Sequence, residues 1–97
     1  MAKGYWIAHV TVTDPDRYPD YVAANAEAFS KYGATFKVRG GQAEVKEGAS
    51  RDRHVVVEFD SYQTALECYH SPEYARAMEV RKDCAVSDVV IVEGYDP

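Results

Sequence analysis

Two kinds of periodicity alternate along this chain, and their order constrains the fold more than any single residue does. Tyr5 to Val12 alternates its side chains at period two, the pattern of a strand. Thr13-Asp14-Pro15 then reads as a helix start, with Asp14 able to act as N-cap and Pro15 tolerated at the first helical position. Tyr18, Val22, Asn25, Phe29 and Tyr32 follow at helical spacing. Pro19 sets the regular helix after a tight preliminary turn, and Gly33 ends it. Strand pattern resumes over Thr35 to Gly48 and again over Arg53 to Phe59. Ser61 caps a second helical segment carrying Ala65, Leu66 and Tyr69, which Ser71-Pro72-Glu73 breaks and restarts with Tyr74, Ala77, Met78 and Arg81 on one face. Ser87 to Gly94 is a last strand.

Strand, helix, strand, strand, broken helix, strand predicts two right-handed crossovers around an antiparallel hairpin. That is the α+β, ferredoxin-like split βαβ (βαββαβ) arrangement with an antiparallel sheet. In it the first and third strands are central neighbours, and both helical segments cover one face and leave the other bare. Ninety-seven residues without repeats or linkers make a single domain over 1–97.

The Thr35 to Gly48 stretch leaves two readings. Gly40-Gly41 is either the two-residue turn of a tight hairpin or a bend in one long strand. The bend is preferred, because folding Gln42 to Glu47 back on the next strand sets Val45 opposite Val55 and Ala43 opposite Val57. Gln42 then faces Glu58 and Lys46 faces His54, so apolar and polar residues separate onto two faces.

Strand parity sorts the faces. Trp6, Ala8, Val10 and Val12, with Val55, Val57 and Phe59 and with Phe36 and Val38, form the apolar set expected under the helices. Tyr5, Ile7, His9, Thr11, His54, Val56, Glu58, Lys37 and Arg39 fall on the other face. Aliphatic residues beside ionisable ones on a bare sheet suggest that it meets a second copy of itself about a two-fold axis. The expected partner is therefore the chain itself, as a homodimer with a semi-polar interior.

The segments GYWIAHVTVTDPDRY, YVAANAEAF, FKVRGGQAEVKEG, VVVEFDS, SPEYARAMEVRK and VVIVEGY, in this order from about Gly4 to Tyr95, resemble domain-of-unknown-function family 1330 of small bacterial proteins. The resemblance implies the dimeric α+β barrel, in which two ferredoxin-like sheets pack bare face to bare face. It implies no activity. Relatives at the superfamily level include cofactor-independent monooxygenases, muconolactone-type isomerases and haem-binding enzymes.

Glu58, inside RHVVVEFD, is the first candidate for chemistry, since a carboxylate buried without an answering group costs several kcal/mol. On a central strand beside His9 it could be a general base or a ligand anchor, and its structural alternative is an ion pair at the dimer face. Arg39 and Arg81 are candidate anion clamps, and Tyr5, Tyr69 and Tyr74 candidate walls of an aromatic cavity mouth. His9, His54 and His70 share no short ligand spacing, so no metal site is expected, and no cofactor. Cys68 and Cys84 stand in no disulfide or C-x-x-C pattern and read as small hydrophobes.

A formal net charge of −5 with scattered Lys and Arg argues against nucleic acid as a partner. The longest purely apolar run, Val89-Val90-Ile91-Val92, is too short to span a membrane, and the N-terminus enters strand pattern directly, so a cytoplasmic location is expected. Two functions remain. One is a small-molecule-binding barrel, extending to a cofactor-independent enzyme acting on a small organic or aromatic acid. The other is a non-catalytic module whose bare face is only a dimer interface, with Glu58, Arg39 and Arg81 satisfied inside the dimer and no pocket left.

Overall fold

The computed structural model describes residues 2–97. Its elements run β1 (Gly4–Val12), α1 (Tyr18–Lys31), β2 (Thr35–Arg39), β3 (Arg53–Phe59), α2 (Tyr62–Tyr69), α3 (Pro72–Arg81) and β4 (Ala85–Glu93). The four strands form one antiparallel sheet in the order β2-β3-β1-β4, with β1 and β3 at the centre. This is the ferredoxin-like α+β fold that the alternating periodicities predict. The chain is a slab of 39 × 36 × 17 Å, thin because only one face of the sheet carries helices.

Local chemistry accounts for the element ends. Asp14 organises the turn before α1: its carboxylate accepts from the Asp16 N–H at 3.1 Å and its carbonyl from the Arg17 and Tyr18 N–H groups. The regular helix then begins at Tyr18, with Pro19 in its first turn. Gly33, at φ 67°, ends it in a Schellman pattern, the Ala34 N–H reaching the Phe29 carbonyl at 2.9 Å. The Ser61 hydroxyl accepts from the Thr64 N–H to start α2. Ser71 joins the next two helices, its hydroxyl donating to the Cys68 carbonyl at 2.7 Å and accepting from the Tyr74 N–H at 3.1 Å.

The core lies between sheet and helices, around Trp6. Its ring is met by Phe29 of α1 at 5.1 Å between centroids, Phe59 of β3 at 5.4 Å, Tyr69 of α2 at 5.6 Å and Tyr74 of α3 at 4.8 Å. The indole N–H donates to the Ala65 carbonyl at 2.9 Å. Cys68 and Cys84 are buried and free, and burial pushes the Cys68 thiol up to about 12.

The β1–β4 register resolves the face of the last strand. Ile91, Val89 and Ser87 pair with Trp6, Ala8 and Val10 on the helix side, while Val92, Val90, Asp88 and Val86 fall on the bare side. The second strand departs from expectation. β2 ends at Arg39, and residues 41–52 form neither a second limb of a hairpin nor a continued strand. The positions expected for Ala43 and Val45 are taken by Phe36, opposite Val57, and Arg39, opposite Val55. A bulge between Phe36 and Val38 makes this possible by spending an extra residue, Lys37, against one step of β3. The bulge also inverts parity, so Val38 moves to the bare face opposite Val56 and Arg39 moves to the helix side.

Replacing Trp6 by Phe should destabilise the fold by about 2–4 kcal/mol, through lost ring area and a lost hydrogen bond to α2. Urea unfolding of the two proteins measures it, and a change under about 0.5 kcal/mol would contradict the central role given to the indole.

Candidate functional site

The helix-side face of the sheet does not close completely under α1. A cavity of about 40 Å³ remains, more than one water requires, between β1, β2, β3, β4 and the helices α1 and α3. Its floor is apolar, from Trp6, Val10, Val55 and Val57, and its walls include Phe29 and Phe36. Its polar lining comes from Arg39, Arg53, Arg81, Asn25, Ser87 and the tyrosines 18, 21 and 74.

Each arginine reaches this cavity by a definable route. Arg39 arrives through the β2 bulge, and its guanidinium lies 4.2 Å from the Phe36 ring centroid. Arg53 sits two residues before Val55 and so shares its helix-side parity, lying 5.3 Å from the Tyr18 ring. Arg81, in the last turn of α3, lies 5.9 Å from the Tyr21 ring and donates to the Tyr74 hydroxyl at 3.1 Å. Gly40, at φ +71°, packs directly on the Arg53 guanidinium, where a Cβ would overlap it.

The electrostatics of the chain single out these three. Among the described residues, eight of the eleven Lys and Arg side chains lie at ion-pair distance from a carboxylate. The remaining three are Arg39, Arg53 and Arg81, and all of them line the cavity. No Asp, Glu or His lines it. The Arg53 Nε is buried without a hydrogen-bond partner. In a chain of formal net charge −5, three cations left without carboxylates at one cavity demand a reason beyond chance placement.

The tyrosines divide. Tyr74 is 1% exposed, shares a 2.7 Å hydrogen bond with the Tyr21 hydroxyl, and burial pushes its phenol well above the ordinary range. Burial also raises the Tyr18 phenol, with Arg53 opposing. Tyr69 packs against Trp6 and His70 and does not line the cavity. Tyr5 is on the other side of the sheet. Its hydroxyl donates to Glu58 at 2.9 Å, and this bond first, then burial, raises its phenol.

Glu58 and His9 also lie on that bare face. Glu58 is answered by Tyr5 and by Lys37 at 3.8 Å, with its side chain 21% exposed, so the carboxylate inside an apolar strand has two partners. His9 and His54 share a 2.8 Å Nδ1–Nδ1 hydrogen bond. The sheet therefore separates Glu58, His9 and Tyr5 from Arg39, Arg81 and Tyr74, which were expected from the sequence to serve one site. Arg53 escaped the sequence reading, although extending the Phe59-Val57-Val55 parity by one step places a cation on the helix side. Among the described residues no three His, Cys, Asp or Glu side chains form a group able to hold a metal ion, and no helix is long and apolar enough to cross a membrane.

Tyr74 also makes a pH prediction. An unfolded tyrosine ionises near pH 10, whereas the buried phenol resists ionisation, so the stability it contributes is full below about pH 10 and is lost as pH rises further. Denaturant midpoints measured from pH 8 to pH 11 should fall steeply at the alkaline end, and less steeply in Tyr74→Phe. Equal slopes in the two proteins would contradict it.

Comparison with known proteins fits this architecture. In structure the chain is similar to the RPA0582 protein of unknown function from Rhodopseudomonas palustris, at 17% identity and a TM-score of 0.75, covering 99% of this chain and 85% of that one. It is similar to SnoaB, a cofactor-independent oxygenase from Streptomyces nogalater, at 12% identity and TM-score 0.65, covering 100% and 97%. It is also similar to a dimeric ferredoxin-like protein of unknown function from Thermobifida fusca, at 17% identity and TM-score 0.60, covering 95% and 89%. At these identities the likeness concerns the fold. No curated protein matches the sequence. The model of the domain of unknown function 1330 matches residues 3–95, and the chain belongs to that family.

Proposed function

We propose that this protein binds a small organic acid in the helix-side cavity, its carboxylate held by Arg39, Arg53 and Arg81. The observation that carries this reading is the coincidence just described: the three cations without carboxylate partners are the three at the cavity. A guanidinium offers planar, paired donors matched to a carboxylate, and the aromatic rings beneath the three hold them when no anion is bound. The reading of a bare structural module fits less well, since it leaves no pocket and satisfies Arg39 and Arg81 at the dimer face. The SnoaB likeness supports extending the reading to cofactor-independent chemistry on the bound acid. With no carboxylate or imidazole in its lining, the cavity would act by polarising its ligand through donors and not by a carboxylate base.

We assign the bare face to a homodimer. Val38, Val86, Val90 and Val92 are 39–57% exposed on that face, an aliphatic set that a second copy would cover. The dimeric Thermobifida fusca neighbour supports the assignment. Glu58, with Tyr5 and Lys37, and His9, with His54, belong to this interface in our reading, and Tyr69 to the core.

Isobutyrate, as a plain carboxylate probe, should raise the melting temperature of the wild type over a chloride control. A concentration of about one hundred times Kd would add about 2.7 kcal/mol. Arg53→Met should abolish the rise without lowering the melting temperature of the unliganded protein, and Glu58→Gln should leave the rise unchanged. A rise that survives Arg53→Met and vanishes in Glu58→Gln would move the site to the bare face. Sedimentation should show a dimer that Val90→Asp converts to a monomer, and a wild-type monomer at micromolar concentration would refute the dimer.

A further inference from the structure

The cavity contains a hydrogen-bond chain whose protons do not balance within the protein. Arg81 Nη1 lies 3.1 Å from the Tyr74 hydroxyl, and the Tyr74 and Tyr21 hydroxyls lie 2.7 Å apart. A guanidinium can only donate, so Tyr74 Oη accepts from Arg81. The two phenols own two protons but share one hydrogen bond. One proton is therefore left over, and Arg81, which also interacts with the Tyr21 hydroxyl, is a pure donor and cannot accept it.

Burial decides which phenol carries the surplus. If Tyr21 donated to Tyr74, the Tyr74 oxygen would accept twice and its own proton would point into a site that is 1% exposed, an unsatisfied donor in the core. If Tyr74 donates to Tyr21, every proton up to that point is used. The last donor is then the Tyr21 O–H, on the more open of the two residues, at 8% exposure. Both rings line the cavity, so the chain runs Arg81 to Tyr74 to Tyr21 and ends facing the ligand space. The cation at its head polarises each bond in turn and strengthens the terminal donor. Burial keeps Tyr74 neutral, so the chain keeps its direction across the neutral range.

We propose that Tyr21 hydrogen-bonds a second oxygen of the bound acid, a carbonyl or its enolate form, and that the ligand class is accordingly the small oxo acids. Tyr21 is the contacting residue; Tyr74 and Arg81 position and polarise it. This rests on the carboxylate reading above, in which Arg81 shares the carboxylate with Arg39 and Arg53 through the donors it does not spend on Tyr74, and adds to it the partner for a second oxygen.

Pyruvate and isobutyrate test it, because they differ in an oxo oxygen against a methyl group at the same place. Backbone amide shifts in NMR titrations give both affinities. Wild type should prefer pyruvate by about tenfold, the scale of one good hydrogen bond to a buried donor. Tyr21→Phe should erase that preference while leaving isobutyrate affinity unchanged, and Tyr74→Phe should reduce it. The C2 resonance of ¹³C-labelled pyruvate should move downfield on binding to wild type and not on binding to Tyr21→Phe, a readout that a merely structural role for the tyrosine would leave alone. Equal affinities for the two acids in wild type, or a preference that survives Tyr21→Phe, would overturn the oxo-acid inference and spare the carboxylate site. Absence of binding by either acid would overturn both.

Discussion

Around Trp6 the three helices become one layer. The indole N–H is tied to the Ala65 carbonyl of α2, while rings from α1 and α3 meet its faces and edges together with Phe59 from the neighbouring central strand. A large aromatic ring with one polar atom suits this position, because it supplies area to several elements and direction to one. Gly4, two residues earlier on the same face, has no room for a side chain, since a Cβ there would overlap the Ser61 carbonyl, so the chain entering α2 sits directly on the start of β1. Helices and sheet are thus docked at the β1 end that carries Gly4 and Trp6. The opposite end, toward Val10 and Ser87, is where the packing opens into the cavity.

That opening explains how the protein keeps three guanidinium groups near apolar surface. Each lies over an aromatic ring, which attracts a cation through its quadrupole without neutralising it. A carboxylate in the same place would form a closed ion pair and end the site's capacity for a ligand. The bare face follows the other strategy: Glu58 is held by Tyr5 and Lys37, Asp88 by Arg51, and His9 by His54, so its polar groups are matched before any partner arrives. One face is internally satisfied and aliphatic, as an interface requires. The other is concave and keeps three guanidinium groups without carboxylate partners, the feature on which the proposed binding site rests.

Much of this was legible in the residues. The faces of β1 and β3 follow from alternation alone, and the helix starts at Ser61 and Ser71 follow from capping chemistry, which is local, whereas Asp14 closes only the turn before α1, whose N-cap Arg17 makes no side-chain cap bond. The side of the cavity was not legible, and the reason is a single residue. The bulge at Lys37 shifts parity between Phe36 and Arg39, and nothing in TFKVRGG marks where the extra residue is absorbed. Without the bulge Arg39 falls on the same face as Glu58, opposite His54, and the two look like parts of one site. Residues 42–47 misled in a similar way, because QAEVKE alternates as a strand would, yet the partner positions on β3 were already filled by Phe36 and Arg39. Arg53 was legible by parity, since it shares the helix-side face with Val55 and Val57.

The excursion over residues 41–52 leaves and rejoins the sheet at two of the arginines that line the cavity. Arg39 closes β2, Arg53 opens β3, and between them the Gly40 N–H bonds to the His54 carbonyl at 2.9 Å. The ladder is complete below that bond, and the chain above it contributes no strand. Length and composition can therefore vary there at little cost to the sheet, since loop closure grows only slowly with added residues. The edge of the sheet is in this sense modular: the two arginines are fixed by strand register, while the segment joining them is free to vary.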